Sequence, residues 1–460
     1  MLPIDGDTIV AIATPPGIGG VGIIRISGSL SQSIAKAILK KTNLVPNQAT
    51  YANFLSSNSE ILDTGIAIFF QSPQSFTGED VIELQGHGGP VILNILLRRV
   101  LELGARIAEP GEFSRRAFLS NKIDLVQAES IVALINSQTE QAAMAAVKSL
   151  QGEFSKQINL LLEDLIAIRM HLEAIIDFPE DDVDSLSFLS IKNQIESLQK
   201  KVTSILKQAK CSRLLNGGIK AVILGKPNVG KSSLLNFLSE EERVIVTDIP
   251  GTTRDVVSHK ISIDGLLIDF ADTAGIRVTQ DIVENLGIQK AIKQVEIADL
   301  IVLMIEHEDF LLTEEFSLKD VLPENLNINL LNDKKILLLI NKIDLHDVQP
   351  KVVQKNNLIA VFVSIKSNIG MDLLKQQIKL LVGFSDEQLL FVAKERHVQA
   401  LKEVQDHVFC SNQIFSVSQK NLDLLAEELR LGQECLSKIT GVFTNEDLLS
   451  KIFSEFCIGK

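Results

Sequence analysis

Ala221-Val222-Ile223-Leu224 runs directly into Gly225-Lys226-Pro227-Asn228-Val229-Gly230-Lys231-Ser232-Ser233, and Leu234-Leu235-Asn236-Phe237-Leu238 follows. The short apolar run before the loop reads as a buried strand, and the run after it suits a helix. The loop between them is G-x-x-x-x-G-K-[ST] in the strand–loop–helix setting that its chemistry requires. Glycines let backbone N–H groups curl around phosphate oxygens with no Cβ in the way. The helix that follows points its positive end at the same anion. Lys231 can reach the β- and γ-phosphates, and the Ser232 hydroxyl can ligate Mg²⁺.

The loop identifies a nucleotide phosphate, and the base is read downstream. Lys335 to Ile340 is a buried-strand pattern ending in Asn341-Lys342-Ile343-Asp344. A carboxylate such as Asp344 can accept two hydrogen bonds, from the N1–H and exocyclic amine of guanine. Adenine leaves those groups unpaired. A second strand, Leu358 to Val363, leads into Ser364-Ile365-Lys366, where a backbone N–H can meet the guanine oxygen. Asp272-Thr273-Ala274-Gly275 ends the strand Leu266 to Ala271, which is expected to pair with Val256 to Ile263 through the Asp264-Gly265 turn. Asp272 would hold Mg²⁺ through a water, and the Gly275 N–H would sense the γ-phosphate. Pro250-Gly251-Thr252-Thr253-Arg254-Asp255 reads as a first switch, with Thr253 as a second Mg²⁺ ligand beside Ser232. These ordered motifs together specify a GTP-binding domain.

One position departs from the common pattern. GTPases of the Ras type use a Gln directly after D-x-x-G to orient the attacking water. Ile276 stands there and can do no such thing. Polar residues between Arg277 and Glu284 are the candidates for that task, with Asp281 and Glu284 equally placed on residue type alone.

At 460 residues the chain has room for two to four domains, and 45% hydrophobic content supplies sizeable cores. A net charge of −13 argues against a surface coated for nucleic acid, while leaving room for a local basic patch. With no Trp and one Tyr, any base-stacking platform would have to use Phe. The four cysteines are widely spaced, without zinc or C-x-x-C spacing, which suits a reducing cytosol. No basic leader and no apolar run of about 18 residues is present, so a cytoplasmic protein with no stable membrane insertion is expected.

Three compositional zones follow. Residues 1 to 120 read as mixed α/β, with strands at Thr8–Ala13, Val21–Ile26, Gly65–Phe70 and Asp80–Leu84, and a helix from Pro90 to Leu103 closed by Gly104. Residues 121 to 214 turn helical, with Ile158, Leu161, Leu162, Leu165, Ile168, Leu172 and Ile176 at 3.6 spacing up to the acidic turn Phe178-Pro179-Glu180-Asp181-Asp182. The GTPase segment spans 215 to 383. Helical periodicity resumes in 384 to 460 at Val398, Leu401, Val404 and Val408, then Leu422, Leu425, Ala426 and Leu429. Two amphipathic sets flanking an α/β segment predict one helical bundle with the P-loop domain inserted in it. A last helix is expected from near Thr444 to Gly459. Cys457 would lie in its final turn, where residue type alone favours a buried core position.

End to end, the chain resembles the MnmE (TrmE) family of tRNA-modification GTPases. The resemblance rests on Asp7-Thr8-Ile9-Val10-Ala11, Gly19 to Gly28, Gly78-Glu79-Asp80, Gln85-Gly86-His87-Gly88-Gly89-Pro90 and Pro110-Gly111-Glu112-Phe113. It continues through the Phe178-Pro179-Glu180 turn, the inserted P-loop domain and Cys457-Ile458-Gly459-Lys460. It implies a multidomain α/β plus all-α fold, whose N-terminal domain binds a one-carbon tetrahydrofolate and mediates homodimerisation. Arg25, Glu83, Lys122 and Lys460 match the folate contacts. On residue type alone, Arg25 and Glu83 would merely pair on a sheet face.

The resemblance also implies that K⁺ serves hydrolysis, with Asn228, Thr247, Ile249 and Thr252 at the matching positions. It selects Glu284 over Asp281 as the water-orienting acid. The matching GTP contacts are Asn228 to Ser233, including Val229, Gly230 and Ser233, then Thr247, Asp248, Ile249, Pro250, Gly251, Thr252 and Thr253. Asp272, Thr273, Ala274 and Gly275 follow, with Asn341, Lys342, Asp344, Ser364, Ile365 and Lys366 around the base. Cys457 matches the family's terminal Cys and joins Glu284 and Lys231 as a candidate catalytic residue. Family members act with the flavoprotein MnmG, which holds FAD, in a heterotetramer or larger complex. Together they attach an aminomethyl or carboxymethylaminomethyl group to C5 of the wobble uridine of certain tRNAs.

Two other readings compete: an RNA-binding ribosome-assembly GTPase switch, and a folate enzyme with a regulatory GTPase. The first predicts a G-x-x-G loop in a basic context. The glycine clusters at 17–20 and 86–89 lie in no basic run.

Overall fold

A computed structural model describes residues 6–40, 44–177, 185–241, 258–271, 292–311, 331, 334–355, 358–385, 391–417, 421–441, 449, 452–454, 456, 457 and 459. They form two compact units, Met1–Val132 with Leu436–Lys460, and Ala133–Cys435.

The first unit is built on a six-stranded sheet. Its elements are β1 (Ile9–Ile12), β2 (Gly19–Ser27), α1 (Ser31–Leu39), β3 (Thr50–Leu55), β4 (Ile61–Phe70), β5 (Val81–Gly88), α2 (Pro90–Glu102), β6 (Arg106–Ile107), α3 (Glu112–Leu119) and α4 (Leu125–Ile135). Strand order is β3-β4-β5-β2-β1-β6, antiparallel except for β1–β6. The four expected strands and the Pro90 helix are present with shifted ends. In β2, Ile24 and Ile26 are fully buried while Arg25 between them points the other way, the period of two expected of a sheet with one packed face. That face meets Ile34, Ile38, Leu93, Leu96 and Val100 of α1 and α2.

The second unit contains α5 (Glu140–Leu150), α6 (Glu153–Asp177), α7 (Ser185–Gly217), β7 (Ile219–Gly225), α8 (Lys231–Glu241), β8 (Ser258–Ile263), β9 (Leu266–Ala271), β10 (Leu300–Glu306), α9 (His307–Leu311), β11 (Lys335–Asn341), β12 (Val352–Lys355), β13 (Leu358–Phe362), α10 (Met371–Val382), α11 (Glu395–Val417) and α12 (Leu422–Thr440). The sheet order is β12-β13-β11-β10-β7-β9-β8. Its central strands are parallel and buried on both faces. Along β10, Leu300, Val302 and Met304 join one core, while Ile301, Leu303 and Ile305 join the other. The β8–β9 hairpin turns at Asp264 and Gly265, both at positive φ, as the turn chemistry predicts.

Helices before and after the sheet in sequence pack on one another, so the P-loop domain is an insertion in a helical bundle. α7 lies against both α6 and α11. The Phe154 and Phe391 rings stack at 4.2 Å. The Val392 and Ala393 amides donate to the hydroxyls of Ser149 and Ser212, each at 2.7 Å. Residues 153–177 form the single long helix that the 3.6 spacing predicts. The acidic turn at 178–182 lies outside the described residues. Among the described residues no helix is long and apolar enough to cross a membrane.

The end of the chain differs from its expected form. Residues 452–454 are helical, but Phe456 is in a bend and Cys457 follows outside any helix. Tertiary contacts take over there. Phe453 and Phe456 are buried against Leu125 and Ala128. The Cys457 carbonyl accepts from the Gly111 amide at 3.4 Å instead of continuing a helix. Gly111 permits the approach because a Cβ there would lie 2.5 Å from the Phe453 carbonyl oxygen, and its φ is +68°. Cys457 is exposed rather than buried in a core, while Cys211 and Cys435 are buried.

Candidate functional site

Three loops meet at the carboxyl ends of the parallel strands, the edge where open α/β sheets bind ligands. The β7 end delivers Gly225 to Gly230. The β11 end, in register with Glu306 of β10, delivers Asn341 to Asp344. The β13 end delivers Ser364 to Lys366. Between them lies a cavity of about 650 Å³ whose walls include Asn228, Gly230, Ser233, Asn341, Asp344 and Lys366. Phe237 and Leu345 give it apolar wall, and Lys342, Ser364 and Ile365 also line it.

Asn341 joins the three loops. Its Nδ2 donates to the Val229 carbonyl at 2.8 Å, and its Oδ1 accepts from the Ile365 amide at 3.2 Å. The side chain is buried, so each bond stands in a site where losing it strands a polar group. Gly230 makes room: a Cβ on it would lie 2.6 Å from Asn341 Nδ2, and its φ is +109°. Sequence reading placed Asn341 among the nucleotide contacts; here its amide is already engaged by the protein. Its partner Val229 is 112 residues away, so no local signal could have shown this.

Lys231 opens α8 and folds its ammonium back over the loop. It donates to the carbonyls of Gly225 at 2.8 Å and Lys226 at 2.7 Å. Burial lowers its pKa, by penalising the charged form. An anion at the loop would meet a cation already held by its backbone. Ser232 and Asn228 are exposed, and Asn228 holds φ +64°. Asp344 is exposed at the cavity wall, while the Nζ of the neighbouring Lys342 bonds Glu306 at 2.5 Å. Glu306 was not singled out from the sequence. Its signal is its place as the last residue of β10, level with Asn341. Ser364 is fully buried and accepts from the Ser367 amide, which fixes the turn that presents Ile365 and Lys366.

The other expected residues divide as follows. Thr247 to Thr253, including Asp248, Ile249, Pro250, Gly251 and Thr252, lie outside the described residues, as do Asp272 to Gly275, Ile276, Asp281, Glu284 and Lys460. In the first unit, Arg25 and Glu83 are register partners on β2 and β5. Arg25 Nε donates to Glu83 Oε1 at 2.9 Å, and Arg25 Nη1 donates to the Gly459 carbonyl at 3.2 Å. Gln85 Nε2 bonds the second Glu83 oxygen at 3.1 Å, and the guanidinium lies 5.8 Å from the Phe113 ring centre. Gly459, the residue before Lys460, therefore lies beside Arg25. Lys122 lies beside Gly78 instead, with no bond to Arg25 or Glu83 among the described residues.

Comparison with known proteins gives two domain matches: "GTP-binding protein TrmE N-terminus" over residues 8–122, and "MnmE helical domain" over residues 125–457. Curated relatives named tRNA modification GTPase MnmE align over nearly the whole chain. That of Coxiella burnetii (strain RSA 493 / Nine Mile phase I) is 49% identical over 457 residues, covering 99% of each chain. That of Hydrogenovibrio crunogenus is 46% identical over 455 residues, again covering 99% of each. The chain belongs to the MnmE family of tRNA modification GTPases. It is a GTP-binding, GTP-hydrolysing enzyme of tRNA modification. Among solved structures, the cytosolic domain of L. pneumophila FeoB matches 52% of this chain and 94% of that one at 17% identity, with a TM-score of 0.25, too slight a likeness to argue from.

Several motifs that carried the MnmE resemblance turn out to share one ion network. Arg116 bonds Asp7 Oδ1 at 2.7 Å, Glu112 Oε1 at 2.9 Å and Glu79 Oε1 at 3.0 Å. Arg106 bonds Asp7 and Glu112, each at 2.5 Å. Burial pushes the Glu112 carboxyl up, but its bonds to Arg106, the Glu109 amide and Arg116 outweigh this and hold it below the usual carboxylate range. Asp7 is held down in the same way, against burial, by Arg106 and Arg116. These residues brace the first unit. Among the described residues, no group of three His, Cys, Asp or Glu is placed to hold a metal.

Proposed function

We propose that this enzyme uses K⁺-dependent GTP hydrolysis to drive, with the flavoprotein MnmG, addition of an aminomethyl or carboxymethylaminomethyl group to C5 of the wobble uridine of certain tRNAs. The observation that carries the nucleotide half is Asn341, which ties the phosphate loop to the Ser364–Lys366 turn around one cavity. The loop residues Gly230, Lys231, Ser232 and Ser233 hold phosphate, and Asp344 with the Ile365–Lys366 turn reads guanine. Asn341 positions both loops.

Mg²⁺ fits the Ser232 hydroxyl, which is exposed at the start of α8, with Thr253 as its second protein ligand. K⁺ fits the side-chain carbonyl of Asn228, an exposed oxygen donor on the cavity wall, together with Thr247, Ile249 and Thr252. Bound there, K⁺ supplies the positive charge that an arginine finger contributes in other GTPases. Glu284 orients the attacking water in place of the missing Gln, and Lys231 neutralises phosphate charge.

The N-terminal domain, residues 1–120, binds a one-carbon tetrahydrofolate beside Arg25, Glu83, Lys122 and Lys460. An arginine already aligned against a carboxylate and a backbone carbonyl is fit to exchange partners with a polar pterin edge or a glutamate tail. Homodimerisation through the same domain is supported by Tyr51 and Ile66, apolar register partners on β3 and β4 that are both exposed. Residues 121–214 and 384–460 make the helical domain, and residues 215–383 make the GTPase. FAD belongs to MnmG, Cys457 is a candidate for the group-transfer chemistry, and the location is the cytoplasm.

The test is mass analysis of wobble uridines from cells lacking this protein, complemented with wild type or with Lys231→Ala. Wild type restores the modified uridine and Lys231→Ala does not. Full restoration by Lys231→Ala would separate GTP hydrolysis from the modification and overturn the proposal.

A further inference from the structure

The chain carries a net charge of −13, yet α7 runs the other way. Between Ser185 and Gly217 it holds six basic residues, Lys192, Lys200, Lys201, Lys207, Lys210 and Arg213, against the single acid Glu196. Two of the six are engaged: Lys201 with Asp164 at 2.7 Å, and Arg213 with Glu395. Lys192 has only a distant contact to Glu196, at 3.9 Å. Lys200, Lys207 and Lys210 are exposed and form no ion pair among the described residues. At 100° per residue, Lys192, Lys200, Lys207 and Lys210 fall within an arc of about 80° on the helix, along a rise of about 27 Å. On a chain that is acidic on average, the exposed lysines of this helix that lack a close ion pair lie along one edge.

That edge borders a built groove. A cavity of about 680 Å³ lies on α7 and α11, walled by Gln199, Lys200, Thr203, Ser204, Lys207 and Asn412. Glu196 also lines it and is the only acid among the described lining residues. Polar bonds hold the seam: Asn412 Nδ2 donates to Gln199 Oε1 at 2.9 Å, and Gln405 Nε2 donates to Thr203 Oγ1 at 3.0 Å. Phe409 lies on the face of α11 that carries Gln405 and Asn412, four residues after the first and three before the second. The residue is 49% exposed, so its ring is open to a stacking partner. Hydroxyls, amides and lysines beside an exposed aromatic ring are the donor set of a surface that grips a phosphodiester backbone and stacks an unpaired base.

We propose that the α7–α11 seam is an RNA-binding surface, with Lys200, Lys207 and Lys210 on phosphates and Phe409 stacked on a base. The occupant is the tRNA substrate, so the inference rests on the function proposed above and adds the surface by which the helical domain holds it. Charge complementarity commits the groove to a polyanion over an apolar protein partner. Lys192 extends the track toward the start of α7.

The test measures binding of a fluorescently labelled, unmodified tRNA transcript to the full-length protein across a range of salt concentrations. Lys200→Glu/Lys207→Glu weakens binding at least tenfold and flattens the log–log salt dependence, by about one to two in slope. Lys200→Arg/Lys207→Arg keeps wild-type binding. Phe409→Ala weakens binding several-fold with the slope unchanged, because it removes stacking and no charge. GTP hydrolysis and thermal melting stay at wild-type values in all three. Wild-type tRNA binding by the glutamate variant overturns the inference and leaves the proposed function standing. So does retained tRNA binding with loss of co-elution with MnmG, which would assign the seam to a protein. No tRNA binding by the wild-type protein, alone or with MnmG, fails the proposed function itself.

Discussion

Replacing Asn341 by Ala tests whether the nucleotide site is held together in the way its geometry implies. The change deletes two buried bonds, one to the Val229 carbonyl at 2.8 Å and one from the Ile365 amide at 3.2 Å. Each such bond contributes about 1 kcal/mol net, and each polar group left unpaired costs roughly 1–3 kcal/mol. Water can enter from the adjoining cavity of about 650 Å³ and relieve part of that cost. The net loss is then about 2–3 kcal/mol. If GTP binding must restore the loop arrangement, affinity falls by about 30- to 150-fold. Asn341→Asp should be no milder. It keeps the acceptor for Ile365 but sets a carboxylate against the Val229 carbonyl, where the amide had donated. The assay is titration with a fluorescent GTP analogue, with thermal unfolding in parallel. Wild-type affinity and wild-type melting in Asn341→Ala would refute the argument that this side chain couples the two loops.

Three further outcomes are expected. Asp344→Asn weakens GTP binding by roughly 10- to 100-fold, as a charge-assisted pair of bonds is lost, and shifts preference toward xanthine nucleotides; competition binding that keeps guanine preference would remove Asp344 from base recognition. Replacing K⁺ by Na⁺ slows GTP hydrolysis by well over an order of magnitude at constant ionic strength; equal rates in both salts sink the cation proposal. Asp7 and Glu112 have folded pKa values below their unfolded ones, so they contribute stability above the unfolded carboxylate range and lose it as pH falls through the folded values. Unfolding of the first unit should therefore become easier below about pH 4, and Arg116→Gln should flatten that dependence; an unchanged acid profile in the variant would contradict it.

Local chemistry is what the sequence displays. The phosphate loop, the N-K-x-D strand end and the S-x-K turn each carry their meaning within ten residues, and each lies where its motif implies. The insertion of an α/β domain into helices was also legible, since two apolar stripes need one another. What escaped depends on distance along the chain. Asp7 meets Arg106 and Arg116 across about a hundred residues, so its motif read as a family mark with no visible partner. β3 and α1 were not anticipated. Thr50–Leu55 alternates poorly, and its pairing with β4 decides its form. Capping logic drew the last helix through Cys457 because it counts local bonds, whereas Gly111 and the Phe453–Phe456 contacts decide where the helix stops.

The pairing of residues near 450 with residues near 125 also has a consequence for synthesis. Leu125 and Ala128 emerge from the ribosome early, but Ile452, Phe453 and Phe456, which cover them, come after an intervening stretch of roughly 300 residues. At about 5–20 residues per second, that patch waits roughly 15–60 seconds for its cover. The first unit therefore begins to fold well before the segment that completes its core is made. During that interval its apolar face is open to chaperones, to proteases and to other nascent chains.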